Sequence, residues 1–522
     1  MANKRILWVD DEIDTLAKPY SVFLSNLGYV LKTETNGQDA IDTFSSENFD
    51  LVILDEQMPG MTGLDVLPVL KRLKPEVPVV MMTKSEAVDT MTSALGKQID
   101  DYLVKPVGVP QLTACLTKMM ERQNIVRETT NKEFIQANML LSSSIATSRN
   151  INDWNRLYES IVDWELRLEG DDTMNEMLLA LKKEANINFC KFIDKEYATW
   201  IKNPASAPLL SHRILSERVL PLIKNKTKVA LVVIDNFRLD QWKKIRPILA
   251  EDFDISTELY CGILPTATQY ARNSIFSGLL PRDIKKLVPQ YWVDDSESEE
   301  RLNKYERELL TDYFERHKMS AVKQSYYKVG NNDSAEQYIK KFGGYANNDL
   351  NALVFCFVDN LSHSVTNNVM RDLLTDDAAY RSVTLSWFKH SKFHETLSLM
   401  ASKGYTIILT TDHGTIRVSD PVDIKGPREL NTNLRYKTGK NMDYEKALSK
   451  KTVIEAKKPE DIGLPTSSVA SSFVFANNDG FFVYPNDRNE YVRVYKDSFQ
   501  HGGISMEEMI LPLATLKAKK NK

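Results

Sequence analysis

Acidic and histidine side chains follow short apolar runs in the second half of the chain, in positions where they could bind metal ions. The run that begins at Tyr405 ends in Asp412 and His413, and two similar runs end in Asp235 and Asp359. Such runs predict buried parallel strands, and open α/β sheets bind ligands at the carboxyl ends of their strands. The other candidate ligands and hydroxyls near such turns are His363, His501, Thr266 and Thr268.

Together these residues form a set that fits two metal ions and a nucleophile. Three aspartates, three histidines and one hydroxyl are enough ligands for two cations that lie about 4 Å apart. Mixed imidazole and carboxylate ligands favour Zn²⁺ over Mg²⁺, although Mn²⁺ and Fe also fit. One cation would lower the pKa of a threonine hydroxyl, and the other would polarise a phosphoryl oxygen. This chemistry is that of phosphate ester cleavage.

A second acidic group lies within the first 120 residues. Asp10, Asp11 and Asp55 stand at the ends of apolar runs, and Thr83 and Lys105 stand at the ends of two more. Helical patterns separate these runs, which predicts βα alternation and a doubly wound parallel sheet with all five side chains at one edge. Oxygen ligands favour a hard ion such as Mg²⁺, beside which Asp55 could accept a phosphoryl group. Lys105 could then pair with the added charge and Thr83 could form a hydrogen bond with it.

Residues 3–122 resemble a response-regulator receiver domain. The resemblance implies that a cognate sensor histidine kinase phosphorylates Asp55 and that Tyr102 is the switch aromatic. It also implies that Mg²⁺ is bound by Asp10, Asp55 and the backbone carbonyl of Gln57, with Asp11 in the same site. The residues that carry it are Asp10, Asp11, Asp55, Met58-Pro-Gly-Met-Thr-Gly63, Thr83 and Lys105-Pro106.

Amphipathic segments follow the receiver-like region. One has Trp154, Leu157 and Ile161 on a single face, and two more cover about residues 173–184 and 185–202. This periodicity predicts a small helical bundle whose apolar stripes form its core. We find no helix-turn-helix pattern in it, so the sequence does not favour direct DNA binding.

The region from about 215 to 517 is similar to a PglZ domain of the alkaline-phosphatase superfamily. The motifs that carry this similarity are Val232-Val-Ile-Asp235, Pro265-Thr-Ala-Thr268, Asp359-x-x-x-His363, Thr411-Asp-His-Gly414 and His501-Gly-Gly-Ile-Ser-Met-Glu-Glu-Met509. The similarity implies two zinc sites, one formed by Asp235, Thr268, Asp412 and His413, and the other by Asp359, His363 and His501. Thr268 would be the transiently phosphorylated nucleophile, with Thr266 as the rival position.

Three polar residues are the candidates for contact with substrate. Related diesterases often continue with Phe-Pro-Asn, whereas this chain continues with Gln269-Tyr-Ala-Arg272-Asn273. Arg272, Asn273 and Arg435 could contact a substrate phosphate, or each could have a structural role.

The three regions together resemble PorX-type response regulators of Bacteroidota, which control type IX secretion. We expect an α/β multidomain protein: a doubly wound, flavodoxin-like receiver at 1–122, an α-helical bundle linker at 123–210 and an alkaline-phosphatase-like α/β domain at 211–522. By this resemblance, phosphorylation promotes homodimerisation, and the metal domain hydrolyses phosphate esters, with short or cyclic oligonucleotides favoured over monoesters. The alternative is a catalytically silent, metal-stabilised scaffold that binds a transcription or secretion component.

Composition and charge exclude several other classes of protein. The 522 residues have a formal net charge of −4, which does not favour tight binding to duplex nucleic acid. The four cysteines lie far apart in the sequence, which predicts reduced thiols and a cytoplasmic location. The sequence shows no signal peptide and no apolar run of the length that a membrane span requires.

Overall fold

The structure is a computed structural model that describes residues 4–84, 99–294, 299–363, 373–425, 433–440, 442–444, 453–466 and 471–519. Its contacts divide the chain into two compact units, Met1–Glu133 and Phe134–Lys522. The boundaries of the three expected domains remain a prediction.

The first unit contains a five-stranded parallel sheet. Its strands follow the spatial order β2-β1-β3-β4-β5, which is the order of flavodoxin-like sheets and confirms the predicted doubly wound fold. The strands are β1 (Lys4–Val9), β2 (Tyr29–Glu34), β3 (Leu51–Asp55), β4 (Val79–Thr83) and β5 (Asp101–Val104). The helices are α1 (Ile13–Asn26), α2 (Gly37–Ser46), α3 (Gly63–Leu73) and α4 (Val109–Thr147), of which α4 continues past residue 133.

Burial on both faces explains why the inner strands of this sheet are continuously apolar. All residues of β3 and β4 are buried, as expected for parallel strands that are covered on both sides. Asp55 and Thr83 are the last residues of β3 and β4, so both lie at the carboxyl edge of the sheet. Helix α3 begins at Gly63, after the loop that follows Asp55, and Thr62 and Asp65 form a capping box at its start.

The second unit begins with two long helices. These are α5 (Ile151–Arg167) and α6 (Asp172–Lys202), and their facing residues Trp154 and Phe189 make an edge-to-face contact with centroids 5.5 Å apart. The predicted stripe of Trp154, Leu157 and Ile161 is buried. It shares one hydrophobic core with the sheet that follows.

A six-stranded mixed sheet forms the centre of this unit, in the order β7-β19-β10-β6-β9-β8. Strands β10, β6, β9 and β8 are parallel neighbours, whereas β19 is antiparallel to both β10 and β7. These strands are β6 (Val229–Ile234), β7 (Phe253–Cys261), β8 (Gln324–Val329), β9 (Leu350–Phe355), β10 (Thr406–Thr410) and β19 (Ile510–Ala518). Because β10, β6 and β9 are adjacent and parallel, the residues that follow them emerge at the same edge.

Shorter elements complete the second unit. The helices are Leu215–Val219 (a π-helix), α7 (Leu220–Lys224), α8 (Leu239–Asp252), α9 (Thr268–Ser277), α10 (Pro281–Leu287), α11 (Glu299–Leu302), α12 (Glu306–Arg316), α13 (Asn332–Lys341), α14 (Phe357–His363), α15 (Asp377–His390), α16 (Phe393–Ser402), α17 (Arg488–Tyr495) and α18 (Met506–Met509). The 3₁₀ turns are Ser211–Arg213, Pro289–Tyr291, Phe342–Gly344, Pro459–Ile462 and Pro485–Asp487. Three small sheets contain β11 (Ile416–Arg417), β12 (Asp420–Lys425), β13 (Tyr436–Lys440), β14 (Asp443–Tyr444), β15 (Val453–Ala456), β16 (Ser471–Ala476), β17 (Gly480–Val483) and β18 (Phe499–Gln500).

Two further expectations concern membranes and thiols. Among the residues described, none of the helices combines the length and the apolar character needed to cross a bilayer. The four cysteines are buried and free, in agreement with the prediction of reduced thiols.

A substitution at Gly63 should weaken the first unit. A Cβ atom at this position would lie 2.1 Å from the backbone carbonyl oxygen of Asp55, so Gly63→Ala must displace either α3 or the end of β3. We expect a loss of about 1–3 kcal/mol in local stability, seen as faster amide exchange in the peptide 51–55 of the full chain. Gly108→Ala is the control, because its Cβ would make only an ordinary 3.7 Å contact. Equal exchange in the two variants would contradict this prediction.

Candidate functional site

In the first unit, three carboxylates converge at the carboxyl edge of the sheet. Ligand atoms of Asp10, Asp11 and Asp55 all lie within 4.8 Å of one another, with Asp10 and Asp55 buried. Lys105 Nζ lies 2.8 Å from Asp10 Oδ2 and 3.0 Å from Asp55 Oδ2. A cluster of oxygen donors with a single lysine matches the preference of Mg²⁺ for hard ligands.

The surroundings of Asp55 agree with a phosphoacceptor position. Burial raises the pKa of its carboxyl group, and Lys105 partly opposes that shift. Thr83 is buried at the end of the neighbouring strand, Tyr102 is half-buried in β5, and Gln57 is exposed just beyond Asp55. The structure therefore brings the predicted residues to one edge, while their roles remain predictions.

In the second unit, residues that follow β6 and β10 form a second buried cluster. Ligand atoms of Asp235, Asp412 and His413 lie within 4.8 Å of one another, and all three residues are buried. His413 Nδ1 lies 3.1 Å from the carbonyl oxygen of Gly414, which leaves Nε2 facing Asp235 and Asp412 at 4.0 and 3.7 Å. Strand register places these groups together, because β6 and β10 are parallel neighbours.

Thr268 faces this cluster from the first turn of α9. Its hydroxyl oxygen lies 3.0 Å from His413 Nε2 and 3.5 Å from Asp235 Oδ1. The amino-terminal end of the helix carries partial positive charge and unpaired backbone N–H groups, so it favours an anion at this position. Thr268 thus occupies a position from which its oxygen could attack a phosphate.

The rival threonine occupies a different environment. Thr266 is fully buried, and its hydroxyl donates to the carbonyl of Gly503 at 2.8 Å and accepts from the backbone N–H of Gly502 at 3.1 Å. These bonds tie the loop before α9 to the loop after His501. The hydroxyl of Thr266 is thus engaged within the protein, and the choice of Thr268 as nucleophile stays a prediction.

A second pair of ligands lies beside the first cluster. Asp359 Oδ1 is 3.8 Å from His501 Nε2, and the ring of His501 stacks on that of His413 with centroids 4.2 Å apart. His501 Nδ1 lies 3.2 Å from the carbonyl oxygen of Thr266, so Nε2 points to Asp359. The backbone of His363 ends α14, but its side chain lies outside the described residues.

The chemistry of the donor set fits bound cations. Burial raises the pKa of both Asp235 and Asp412, an effect that Arg272 partly opposes, and it lowers the pKa of His413. Asp412 Oδ2 is buried and has no hydrogen-bond partner among the residues described. Crowded buried carboxylates and a neutral imidazole are the groups that a divalent metal stabilises.

The three polar residues that were predicted to contact substrate are buried and have partners within the protein. Arg272 is buried and forms close ion pairs with Asp235 and Glu306. Arg435 is fully buried against Glu508, with Nη2 2.5 Å from Oε2 of that carboxylate. The side-chain amide of Asn273, also buried, donates to the carbonyl of Leu302 at 3.2 Å. Each of the three side chains therefore has a partner within the protein, and a contact with substrate stays a prediction.

Two residues of the site were missed from the sequence. Asn236 adopts a left-handed backbone with φ of 61°, its backbone N–H donates to Asp412 Oδ1 at 3.1 Å, and its amide donates to Asp359 Oδ1 at 3.3 Å. Its position directly after Asp235 was a usable signal, because asparagine tolerates this conformation. Glu306 reaches Arg272 from 34 residues away, and no local pattern marks it.

Family comparisons cover nearly the whole chain. Residues 214–516, more than half of the chain, match the family model described as the BREX system PglZ alkaline phosphatase-like domain. Residues 6–117 match the response regulator receiver domain, and residues 124–201 match the PorX response regulator linker domain. The order of these three models is that of a PorX-type response regulator, as the sequence predicted.

Two of the curated relatives are each similar over about a quarter of the chain. The luminescence regulatory protein LuxO of Vibrio campbellii is 30% identical over 112 residues, which are 22% of this chain and 25% of LuxO. The probable transcriptional regulatory protein TcrX of Mycobacterium tuberculosis is 30% identical over 136 residues, 26% of this chain and 58% of TcrX. The chain thus spans about a quarter of LuxO and just over half of TcrX.

Two solved structures are also similar, each over less than a quarter of the chain. The response regulator TrrA from Thermotoga maritima, in complex with Mg²⁺ and BeF, is 33% identical over 22% of this chain and 98% of that chain, with a TM-score of 0.21. A CheY-like receiver domain protein from Methanospirillum hungatei is 26% identical over 23% of this chain and 96% of that chain, with a TM-score of 0.22.

Removal of Arg272 should destabilise the second unit. Arg272→Met leaves Asp235 and Glu306 as buried, unpaired carboxylates, so we expect a loss of about 3–5 kcal/mol in the metal-free protein. Urea unfolding followed by tryptophan fluorescence measures this loss, because Trp154, Trp200 and Trp242 are buried in this unit. Arg488→Met is the matched control, since its ion pair with Asp423 is solvent-exposed and should contribute less than about 1 kcal/mol. A similar loss of stability in both variants would contradict a structural role for Arg272.

Proposed function

The chain belongs to the family of the BREX system PglZ alkaline phosphatase-like domain, and on that premise we propose that its second unit hydrolyses phosphate esters with Thr268 as nucleophile. Its receiver and linker regions make it a two-component regulator, so a sensor histidine kinase is the expected partner of the first unit. The proposed output is therefore an enzyme under phosphorylation control.

The observation that carries this proposal is the position of the Thr268 hydroxyl. It lies at the start of a helix and between His413 and Asp235, at 3.0 and 3.5 Å. In the proposed reaction, the threonine oxygen displaces the alcohol of the ester, and water then releases the phosphate from the threonine. A hydroxyl with buried acidic and imidazole neighbours, next to a helix terminus, is suited to this role.

The donor set supports a dinuclear zinc site. We propose that Asp235, Thr268, Asp412 and His413 hold one Zn²⁺, and that Asp359, His363 and His501 hold the other. When bound, the two ions would supply Lewis-acid chemistry to the hydroxyl and the phosphoryl oxygens. The protein residues fix the donors in place, with Asn236 and Arg272 orienting the carboxylates from outside the ligand set.

A phosphodiester is favoured over a phosphomonoester as substrate. Arg272, which lies against Asp235, is already engaged by two buried carboxylates. Its guanidinium is therefore not available to neutralise the additional negative charge of a monoester. We propose short or cyclic oligonucleotides as the substrate class.

Regulation is proposed to act through Asp55. Phosphorylation of this residue, with Mg²⁺ held by Asp10, Asp11, Asp55 and the carbonyl of Gln57, would promote homodimerisation of the chain. Lys105 would pair with the charge of the new phosphoryl group and Thr83 would form a hydrogen bond with it, with Tyr102 as the switch aromatic. The match of residues 124–201 to the PorX linker supports a role in the control of type IX secretion.

Replacement of Thr268 tests the enzymatic proposal. Thr268→Val removes the hydroxyl but keeps a β-branched side chain of similar size, so turnover of a chromogenic phosphodiester should fall by about 100-fold or more. The bound zinc, measured by elemental analysis, should remain at or above one ion per chain.

Thr268→Ser is the matched control for this experiment, because it restores a hydroxyl at the same position and should retain measurable turnover. Unchanged turnover in the valine variant would refute the role of Thr268. Bound zinc without turnover in the unaltered protein would favour a metal-stabilised scaffold that binds a transcription or secretion component.

The regulatory proposal predicts a change in assembly. Treatment of the full chain with beryllofluoride and Mg²⁺ should convert monomer to dimer, measured by light scattering after size-exclusion chromatography. Asp55→Asn should abolish the change, whereas Asp42→Asn, at an exposed position of α2, should behave as the unaltered chain. Dimerisation of the Asp55 variant under the same treatment would contradict the proposal.

A further inference from the structure

One face of the long helix α6 contacts the segment that follows His501. Lys182, Asn186 and Cys190 are spaced four residues apart, so they lie on one side of the helix. All three are buried, and two of them are polar, which is unusual for residues inside a hydrophobic core. Their partners explain their presence, because each side chain binds a group between residues 504 and 507.

Asn186 makes the most specific of these contacts. Its Oδ1 atom accepts a hydrogen bond from the backbone N–H of Met506 at 2.7 Å. Its Nδ2 atom donates to Glu507 Oε2 at 2.9 Å. Both partners are buried, so an Asn186 that lost these bonds would leave a backbone donor and a carboxylate oxygen unsatisfied.

Lys182 and Cys190, one helical turn before and after Asn186, also bind residues 504–507. Lys182 Nζ lies 3.0 Å from Glu507 Oε1 and 2.6 Å from Glu165 Oε1, which fixes its ammonium group between two carboxylates. The thiol of Cys190 donates to the carbonyl of Ile504 at 3.1 Å.

The held segment contacts the residue after His413 and follows His501 closely in the sequence. A Cβ atom on Gly414, the residue after His413, would lie 2.0 Å from the carbonyl oxygen of Glu507, so the two backbones are in direct contact. Gly502, which follows His501, has φ of 116° and donates its N–H to Thr266. A shift of residues 504–507 would therefore change the position of the His501 ring.

We propose that this face of α6 is a positioning element of the phosphoesterase site, in which Asn186, supported by Lys182 and Cys190, fixes residues 504–507 and thereby orients His501 toward Asp359. The inference rests on the proposed function and deepens it. Residues 182–190 lie in the part of the chain that matches the PorX linker, whereas residues 504–507 lie in the part that matches PglZ. The linker would thus contribute to the site that it precedes in sequence.

A charge-neutral exchange of two side chains tests this inference. Asn186→Asp keeps the acceptor for Met506 but replaces the donor with a carboxylate that faces Glu507. Adding Glu507→Gln restores a donor and acceptor pair with the same total charge, and its amide oxygen can still accept from Lys182. We therefore expect the single variant to be impaired and the double variant to recover.

The first measurement needs no metal. In the metal-free full chain, the rate of His501 modification by diethylpyrocarbonate is measured by mass spectrometry, with the exposed His390 as internal reference. Loss of one buried hydrogen bond should raise the His501 rate by about tenfold in Asn186→Asp, and the double variant should return toward the original rate.

The second measurement is zinc affinity by competition with a chromophoric chelator. The weaker of the two sites should lose about 10- to 100-fold in affinity in Asn186→Asp, while the stronger site is retained and the double variant recovers. Glu184→Gln, at an exposed position of the same helix, is the control and should change neither readout.

Each outcome decides the inference. An unchanged His501 modification rate in Asn186→Asp, or a double variant that remains as impaired as the single one, would overturn it. If the unaltered chain bound no zinc, the proposed function would fail, but the modification rates in the metal-free protein would still decide whether α6 orients His501. If Asn186→Asp were too unstable to purify, Cys190→Ala, which removes only the contact with the carbonyl of Ile504, takes its place with the same two measurements and the same expected direction.

Discussion

The mutual repulsion of buried carboxylates is the constraint on which the second unit depends. Asp235 and Asp412 are buried and Asp359 is half-buried. The three meet because three parallel strands end side by side, and at short range in a weakly polarisable interior their charges oppose one another strongly. The protein offsets this repulsion with Arg272 on Asp235 and with donor groups of Asn236 on the other two carboxylates. The remaining negative charge is what makes this edge suited to cations.

The receiver meets the same constraint with different means. Asp10 and Asp55 are buried at a sheet edge, and Lys105, which follows β5, bridges them. Because a single lysine offsets only part of the carboxylate charge, the cluster keeps a net negative charge. Such a cluster suits one hard cation and a reversible phosphorylation. In the second unit the compensating arginine is itself locked by Glu306, which suits a permanent framework rather than a switch.

The sequence predicted the ends of the buried strands, but it did not predict the ion pairs and hydrogen bonds that support the residues at those ends. An apolar run that stops at an acid predicts where a buried strand meets solvent or ligand, and this reasoning found Asp55, Asp235 and Asp412. The ion pairs of Arg272 and Arg435 join residues that are 34 to 73 positions apart, so no local periodicity marks them. The polar face of α6 was hidden for the same reason, since the helical pattern predicts which residues are buried but not which buried polar groups find partners.

Strand β19 (Ile510–Ala518) lies between β7 and β10 and pairs with both. During synthesis, the ribosome adds β19 about a hundred residues after β10 (Thr406–Thr410). Until then, β10 has an open edge, and the turn that carries Asp412 and His413 is anchored on one side only. A nascent chain therefore cannot close this edge of the sheet beside Asp412 and His413 until residues 510–518 have been added.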